Sequence, residues 1–106
     1  MQHFNISEFF GGWFVGNFSP SIIKTSEFEL AVKMYKAGDV DSKHVHKIAS
    51  EITYVAKGCV KFNDLVCAEG DFVLLEPNDV NEFKSITDSI LFVVKTPSVP
   101  GDKYLV

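Results

Sequence analysis

The chain has 106 residues and a mass of 11.8 kDa, so we expect a single domain over residues 1–106. Hydrophobic residues make up 46% of the chain and charged residues 23%, a balance that favours a packed core over disorder. The net charge of −4 argues against a nucleic-acid partner, which usually requires a basic face. No apolar run is long enough to span a membrane, and the N-terminus lacks a secretory signal. We therefore expect a cytoplasmic protein without nucleic-acid or membrane partners.

The first twenty residues form an aromatic-rich segment with several glycines. Its aromatic side chains are Phe9, Phe10, Trp13, Phe14 and Phe18. The segment shows no helical periodicity over three turns. One interpretation is that residues 1–20 pack over the open end of the remaining fold.

Turn residues punctuate the rest of the chain at short intervals. In segment 28–36, four apolar side chains alternate with polar ones, which predicts a strand. We expect its apolar side chains to face a core, namely Phe28, Leu30, Val32 and Met34. Further strands are predicted at 43–47, 51–56, 59–62, 65–68, 72–75, 81–85 and 89–95. Segment 96–106 contains two prolines and is expected to run as an extended tail over the surface or a partner subunit.

Many short strands separated by turns predict an all-β fold, either a sandwich or a barrel. The two cysteines fit a hairpin that turns at Asn63 and Asp64. In that register Val60 faces Cys67, so Cys59 and Cys67 lie on opposite faces of the hairpin. We expect both thiols to be reduced, in keeping with a cytoplasmic protein.

The most informative segment lies between residues 38 and 51. His44 and His46 are two positions apart, so on a strand they point to the same side. Glu51 opens the next predicted strand, from which an antiparallel neighbour can return its carboxylate to that side. Two imidazoles and a carboxylate are a usual ligand set for a first-row divalent ion, and they leave positions for water or substrate. The alternative is that both imidazoles lie on a solvated strand face.

These residues resemble the first motif of the cupin superfamily. That motif consists of a glycine, five residues, His-x-His, three or four residues, a glutamate, six residues and a second glycine. Every position is matched, by Gly38, His44, His46, Glu51 and Gly58. The run from His44 to Ile52 is particularly similar to germin-like cupins.

Segment 70–81 resembles the second cupin motif, with Gly70 and Asp71, an apolar strand and then Pro77. Asn81 stands where most metal-binding cupins have a histidine as fourth ligand. Its carbonyl oxygen can bind a metal, or it can hold a water or a substrate instead. The resemblance therefore implies a metal site of His44, His46 and Glu51, with Asn81 at the fourth position.

The resemblance implies a single jelly-roll barrel of six to eight strands with the site inside its mouth. Thr53 follows Glu51 and Phe83 follows Asn81 at same-side positions, so both are predicted to line the pocket. For Phe83 the alternative is an ordinary core position. Lys47 should point away from the ligands, onto the surface.

The resemblance further implies a divalent transition metal, with iron, manganese, zinc and nickel all open, and a small polar molecule as ligand or substrate. Small cupins often pair through N-terminal strands, so a dimer contact is a second interpretation of residues 1–20, and we expect a homodimer.

Whether the protein is an enzyme stays open at the level of sequence. One alternative is a metal-independent cupin similar to isomerases and epimerases of nucleotide-linked sugars, with His44 or His46 as acid and base. Another is a non-catalytic cupin whose barrel only binds a ligand.

Overall fold

The structure, a computed structural model, describes residues 1–106 and is almost entirely β. Two short 3-10 helices, Ile6–Glu8 and Phe10–Gly12, precede the strands. The strands are β1 (Trp13–Gly16), β2 (Ile23–Lys24), β3 (Glu29–Tyr35), β4 (Val40–Val45), β5 (Ser50–Lys57), β6 (Cys59–Phe62), β7 (Leu65–Ala68), β8 (Phe72–Leu75), β9 (Asn81–Ser85), β10 (Ser89–Thr96) and β11 (Tyr104–Leu105). The predicted all-β class is confirmed.

All eight strands predicted from sequence form, and three short ones are added. β2 and β11 have two residues each, too few to show an alternation, and β1 (Trp-Phe-Val-Gly) has no polar side chain to alternate with its apolar ones. The structure therefore has eleven strands, where the resemblance implied six to eight.

The strands form two sheets that enclose a common interior, as a jelly roll does. One sheet has six strands in the order β2-β1-β3-β10-β5-β8, and the other has five in the order β11-β4-β9-β6-β7. All neighbours are antiparallel except β1 and β2. Eight buried apolar residues from both sheets form the core: Ala31, Val55, Val60, Phe62, Cys67, Phe83, Leu91 and Val93.

The orientation predicted for the strand at 28–36 is wrong. Phe28 and Met34 are exposed and Leu30 and Val32 are only partly buried, whereas the buried side chains are Glu29 and Ala31. The alternation itself is real, but the polar side of β3 faces inward because the interior holds a charged cavity. Its apolar side lies on the outside of the six-stranded sheet.

The hairpin of β6 and β7 has the predicted register. Val60 pairs with Cys67 and Cys59 with Ala68, and both thiols are free. Asn63 in the turn has a φ of 53°, a conformation that asparagine tolerates better than most residues.

Both ends of the chain are held against the body of the fold. Asn17 donates its backbone N–H to Ser98 Oγ (2.9 Å), which joins the N-terminal segment to the residues after β10. The last strand, β11, pairs with the end of β4 at Val45 and His44. No helix of the structure has the length and apolar character needed to cross a membrane.

Candidate metal and ligand site

A cavity of about 340 Å³ lies between the two sheets, within the size range of small-molecule sites. Twenty residues line it. They include all six site residues predicted from sequence: His44, His46, Glu51, Asn81, Thr53 and Phe83.

The two histidines lie together at the end of β4. His44 is within the strand and His46 directly follows it, and their rings are 5.1 Å apart between centroids. Both are buried, with exposed fractions of 3% and 7%. A register shift between Asp41 and His44 inserts one extra residue into β4 opposite β9. That irregularity lets Asp41 and His44, three positions apart, both line the cavity.

The protonation of both rings suits metal binding. His44 Nδ1 lies 2.6 Å from the carbonyl oxygen of Ser42. Since a carbonyl only accepts, the neutral tautomer that this contact favours has its proton on Nδ1 and its lone pair on Nε2. Burial, followed by repulsion from Lys95 and His44, lowers the pKa of His46 to about 4. His46 is therefore neutral at physiological pH.

Asp102 holds the bend that follows His46. Its carboxylate accepts backbone N–H bonds from Lys47 (2.9 Å), Ile48 (3.1 Å) and Ala49 (2.9 Å). Burial raises the pKa of Asp102, but the three backbone hydrogen bonds outweigh burial, so the pKa is lowered overall. This contact from the C-terminal segment fixes the path of the chain between the histidines and β5.

Asn81 begins β9 directly opposite His44. Residues paired in this way have Cβ atoms about 5 Å apart, so the amide lies beside the imidazole. Its Oδ1 atom is buried and has no hydrogen-bond partner, the one such side-chain atom in the structure. Because an unpaired buried acceptor is costly, Oδ1 is a candidate contact for a metal, a water or a ligand.

Glu51 lines the same cavity from the opposite sheet, at the start of β5. It pairs with Lys95 of β10, which in turn pairs with Glu29 of β3. No group of three or more His, Cys, Asp or Glu side chains is close enough together to hold a metal ion. The structure thus brings the two histidines together but does not place Glu51 in a compact cluster with them. Metal binding by this set stays a prediction.

Burial raises the pKa of Glu51, and the neighbouring Lys95 only partly offsets that effect. The carboxylate is thus held in a cavity that disfavours its charge. Perturbed carboxylates of this kind are common in functional sites.

Thr53 and Phe83 are buried and line the cavity. The ring of Phe83 contacts those of Tyr35 (4.7 Å between centroids) and Phe62 (5.2 Å). Phe83 therefore belongs to the core and to the cavity wall at once. Lys47 does not line the cavity; it is exposed, and its Nζ lies 4.0 Å from the centre of the Tyr104 ring.

Sequence reasoning missed most of the charged residues of the cavity. Lys95 forms a buried ion pair with Glu29 (3.1 Å), and Lys103 pairs with Asp41 at the same distance. Lys33 lines the cavity as well. The charges of β3 were visible in the sequence, but the alternation was interpreted with the apolar side inward.

Aromatic residues of the N-terminal segment complete the wall. Phe10, Trp13 and Phe18 line the cavity. The Trp13 ring lies 5.5 Å from Lys33 Nζ and 5.7 Å from Lys95 Nζ. Trp13 reaches this place because it pairs with Ala31 on the inner face of the sheet.

Solved structures with the same architecture identify the fold. A conserved protein with a double-stranded β-helix domain from Klebsiella pneumoniae matches with a TM-score of 0.70 and 21% identity, over 80% of this chain and 75% of that one. An RmlC-like cupin from Shewanella frigidimarina matches with a TM-score of 0.63 and 22% identity, over 74% and 72%. A sugar phosphate isomerase of the cupin superfamily from Silicibacter pomeroyi matches with a TM-score of 0.59 and 21% identity, over 67% and 51%. The chain has the cupin fold.

Neither a protein-family model nor a curated protein sequence matches the chain. The resemblance to cupins is therefore carried by structure and by the motif residues. In this cupin fold the two glycines of the first motif serve as turn positions, because Gly38 and Gly58 have φ of 90° and 91°. At Gly58 a Cβ atom would also collide with the carbonyl oxygen of Asp88.

Proposed function

We propose that this cupin binds a divalent transition metal through His44, His46 and Glu51, and that it binds or acts on a small polar molecule in the same cavity. The observation that carries the proposal is the pair of buried imidazoles beside an amide oxygen without a partner. Nitrogen and oxygen donors in this mixture suit iron, manganese, zinc or nickel.

Each residue has a distinct part in the proposal. The Ser42 carbonyl orients His44 so that Nε2 is the free donor. Asn81 offers Oδ1 next to His44, and Glu51 supplies the negative charge from the facing sheet. When bound, a divalent ion supplies Lewis acidity toward an oxygen of the small molecule. Phe83 and its neighbours Tyr35 and Phe62 form an aromatic wall of the cavity.

The decisive variant is the double change His44→Ala and His46→Ala, with His3→Ala as its control. His3 is exposed and lies outside the cavity, so its loss should leave metal binding intact. We expect a stoichiometric metal in the wild type and in His3→Ala, and none in the double variant, by elemental analysis. Equal metal content in the wild type and the double variant would refute the site.

A second candidate function is metal-free binding of the polar molecule. It is favoured by the lack of any compact cluster of three ligating side chains. An isomerase-like acid–base role is less suited to His46, whose pKa of about 4 is far below neutral pH. Ligand binding or turnover that persists after exhaustive chelation would favour this candidate over the metal site.

A further inference from the structure

The cavity contains one lysine that forms no ion pair with a carboxylate of the chain. Of its three lysines, Lys95 is paired with Glu29 and Lys103 with Asp41. Lys33 belongs to neither ion pair of the structure. Its Nζ donates one hydrogen bond, to the carbonyl oxygen of Gly11 (2.8 Å). An ammonium has three N–H donors, so two remain for another partner.

Glu51 does not serve as the counter-ion of Lys33. It lines the same cavity, but the two side chains form no ion pair within 4.0 Å. Glu51 therefore stays a separate negative charge on another strand of the same cavity. With the two ion pairs set aside, Lys33 is the cavity lysine that has no carboxylate in contact with it.

The surroundings of Lys33 raise the cost of leaving it unpaired. Burial lowers its pKa, against the attraction of Asp41. The Trp13 ring at 5.5 Å gives it a further favourable contact and forms an apolar wall beside it. A partly buried cation of this kind is best satisfied by an anion.

Tyr35 adds a neutral donor two residues further along the same face of β3. Burial, followed by the negative charges of Asp41 and Glu51, raises the pKa of Tyr35 to about 12. The phenol is thus protonated at physiological pH and can donate its hydrogen to an acceptor.

We infer that the cavity binds a small organic monocarboxylate, with Lys33 as its cationic anchor and Tyr35 as a second donor. The carboxylate supplies a counter-ion in direct contact with Lys33, and its apolar part contacts Trp13 and Phe83. A phosphate fits less well, because phosphate sites usually combine several cations or a row of backbone N–H groups. The inference deepens the proposed function and rests on it for the location of the ligand.

The volume limits the size of this ligand. At about 30 Å³ for each water, 340 Å³ corresponds to a molecule on the order of ten non-hydrogen atoms. Short-chain and small aromatic acids fall in this range.

The test is an NMR titration of metal-free, isotope-labelled protein with butyrate, butyramide and inorganic phosphate. We expect butyrate to shift the signals of cavity residues in a saturable manner, and butyramide to bind about tenfold more weakly because it lacks the charge. Equal binding of acid and amide would overturn the inference, as would stronger binding of phosphate. No saturable shift at about 50 mM butyrate would overturn it as well.

Variants locate the anchor. Lys33→Met should weaken butyrate binding about tenfold, and Lys33→Arg should retain it because the charge is kept. Lys47→Met removes a lysine outside the cavity and should bind like the wild type. Unchanged binding by Lys33→Met would contradict the assignment. Metal content of the wild type is measured separately. A wild type that holds metal but binds no butyrate rejects only this inference, and one that binds butyrate but holds no metal rejects only the metal site.

A second, independent observation concerns the outer face of the six-stranded sheet. Paired residues form two rows across β3, β10, β5 and β8 without any charged side chain. One row is Leu30, Val94, Ile52 and Leu74, and the other is Val32, Phe92, Tyr54 and Phe72. Much of this face is open to solvent, with Phe72 70%, Met34 64% and Leu74 55% exposed.

We propose that a second copy of this chain covers this face. In a twofold dimer the same patch meets itself, which suits a charge-free surface on a chain of net charge −4. Six exposed apolar side chains lie on this face: Met34, Ile52, Phe72, Leu74, Phe92 and Val94. At about 100 Å² each they offer about 600 Å². Stable interfaces bury about 800 Å² per partner.

The test is the solution mass at about 100 μM, measured by light scattering. We expect twice 11.8 kDa for the wild type and 11.8 kDa for the double variant Phe72→Glu/Leu74→Glu. Leu65→Glu is the control, since Leu65 is exposed on β7 of the other sheet, and it should remain dimeric. A monomeric wild type, or a double variant that stays dimeric, would overturn the proposal.

Discussion

Glu51 is a carboxylate in an environment that disfavours its charged form. Its carboxylate lies in a cavity where burial raises its pKa, and Lys95 between it and Glu29 is already paired to Glu29. A carboxylate whose pKa is raised by folding reduces stability at neutral pH. Such a position is typical of a functional residue, because activity and stability are often in conflict there.

Replacing Glu51 with glutamine should therefore stabilise the metal-free protein at pH 7. We expect an increase of about 1 kcal/mol, or about 4 °C in melting temperature, measured after chelation. Glu29→Gln is the matched control on the other side of Lys95, and it should lower stability by about 3 kcal/mol because it leaves a buried lysine unpaired. A destabilised Glu51→Gln variant would contradict this account.

At the scale of elements, the bend between β4 and β5 depends on the C-terminal segment. Asp102 accepts three backbone N–H bonds from residues 47–49, directly after His46. The C-terminal segment is thus a positioning device for the histidine pair, reinforced by the pairing of β11 with β4.

Asp102→Asn should destabilise the fold by about 2 kcal/mol at pH 7, because an amide cannot accept all three bonds and carries no charge. The pKa of Asp102 is lowered by folding, so its contribution is complete above its ordinary value of about 4 and is lost as the pH falls through the lowered pKa. Denaturant unfolding of both proteins should give a difference that is constant near neutral pH and shrinks under acid conditions. A difference that grows under acid conditions would argue against this role.

The comparison of sequence and structure also belongs at this scale. Period-2 patterns located the main strands, and the hairpin of β6 and β7 was predicted in register, because local alternation and turn residues determine both. The orientation of β3 was not predicted correctly. Alternation shows that the two faces of a strand differ, but it does not show which face points inward. The cavity role of Lys33 depended on that orientation.

The candidate site shows the same division. The sequence predicted His44, His46 and Glu51 because their spacing matches a motif. Thr53 and Phe83 were predicted because each lies two positions after a site residue, on the same side of its strand. Lys95 and Trp13 come from distant strands and carry no motif, so only the folded structure brings them to the cavity. The bulge in β4 that turns Asp41 inward is likewise invisible in the sequence pattern.

At the scale of the whole molecule, the polar and apolar surfaces are arranged in an unusual way. The interior holds the charged cavity, while an apolar face lies on the outside of the six-stranded sheet. The first arrangement suits a site for a charged ligand, and the second suits association of two copies. β3 contributes to both arrangements. Its glutamate and lysine point into the cavity, and its apolar side chains lie on the outer face.

The most direct measurement is anomalous diffraction from crystals grown with iron, manganese, zinc or nickel. The account predicts one strong peak inside the cavity, between His44, His46 and Glu51, at the absorption edge of the bound element. The absence of any peak there, with the imidazoles ordered and the metal in the solution, would contradict the central claim.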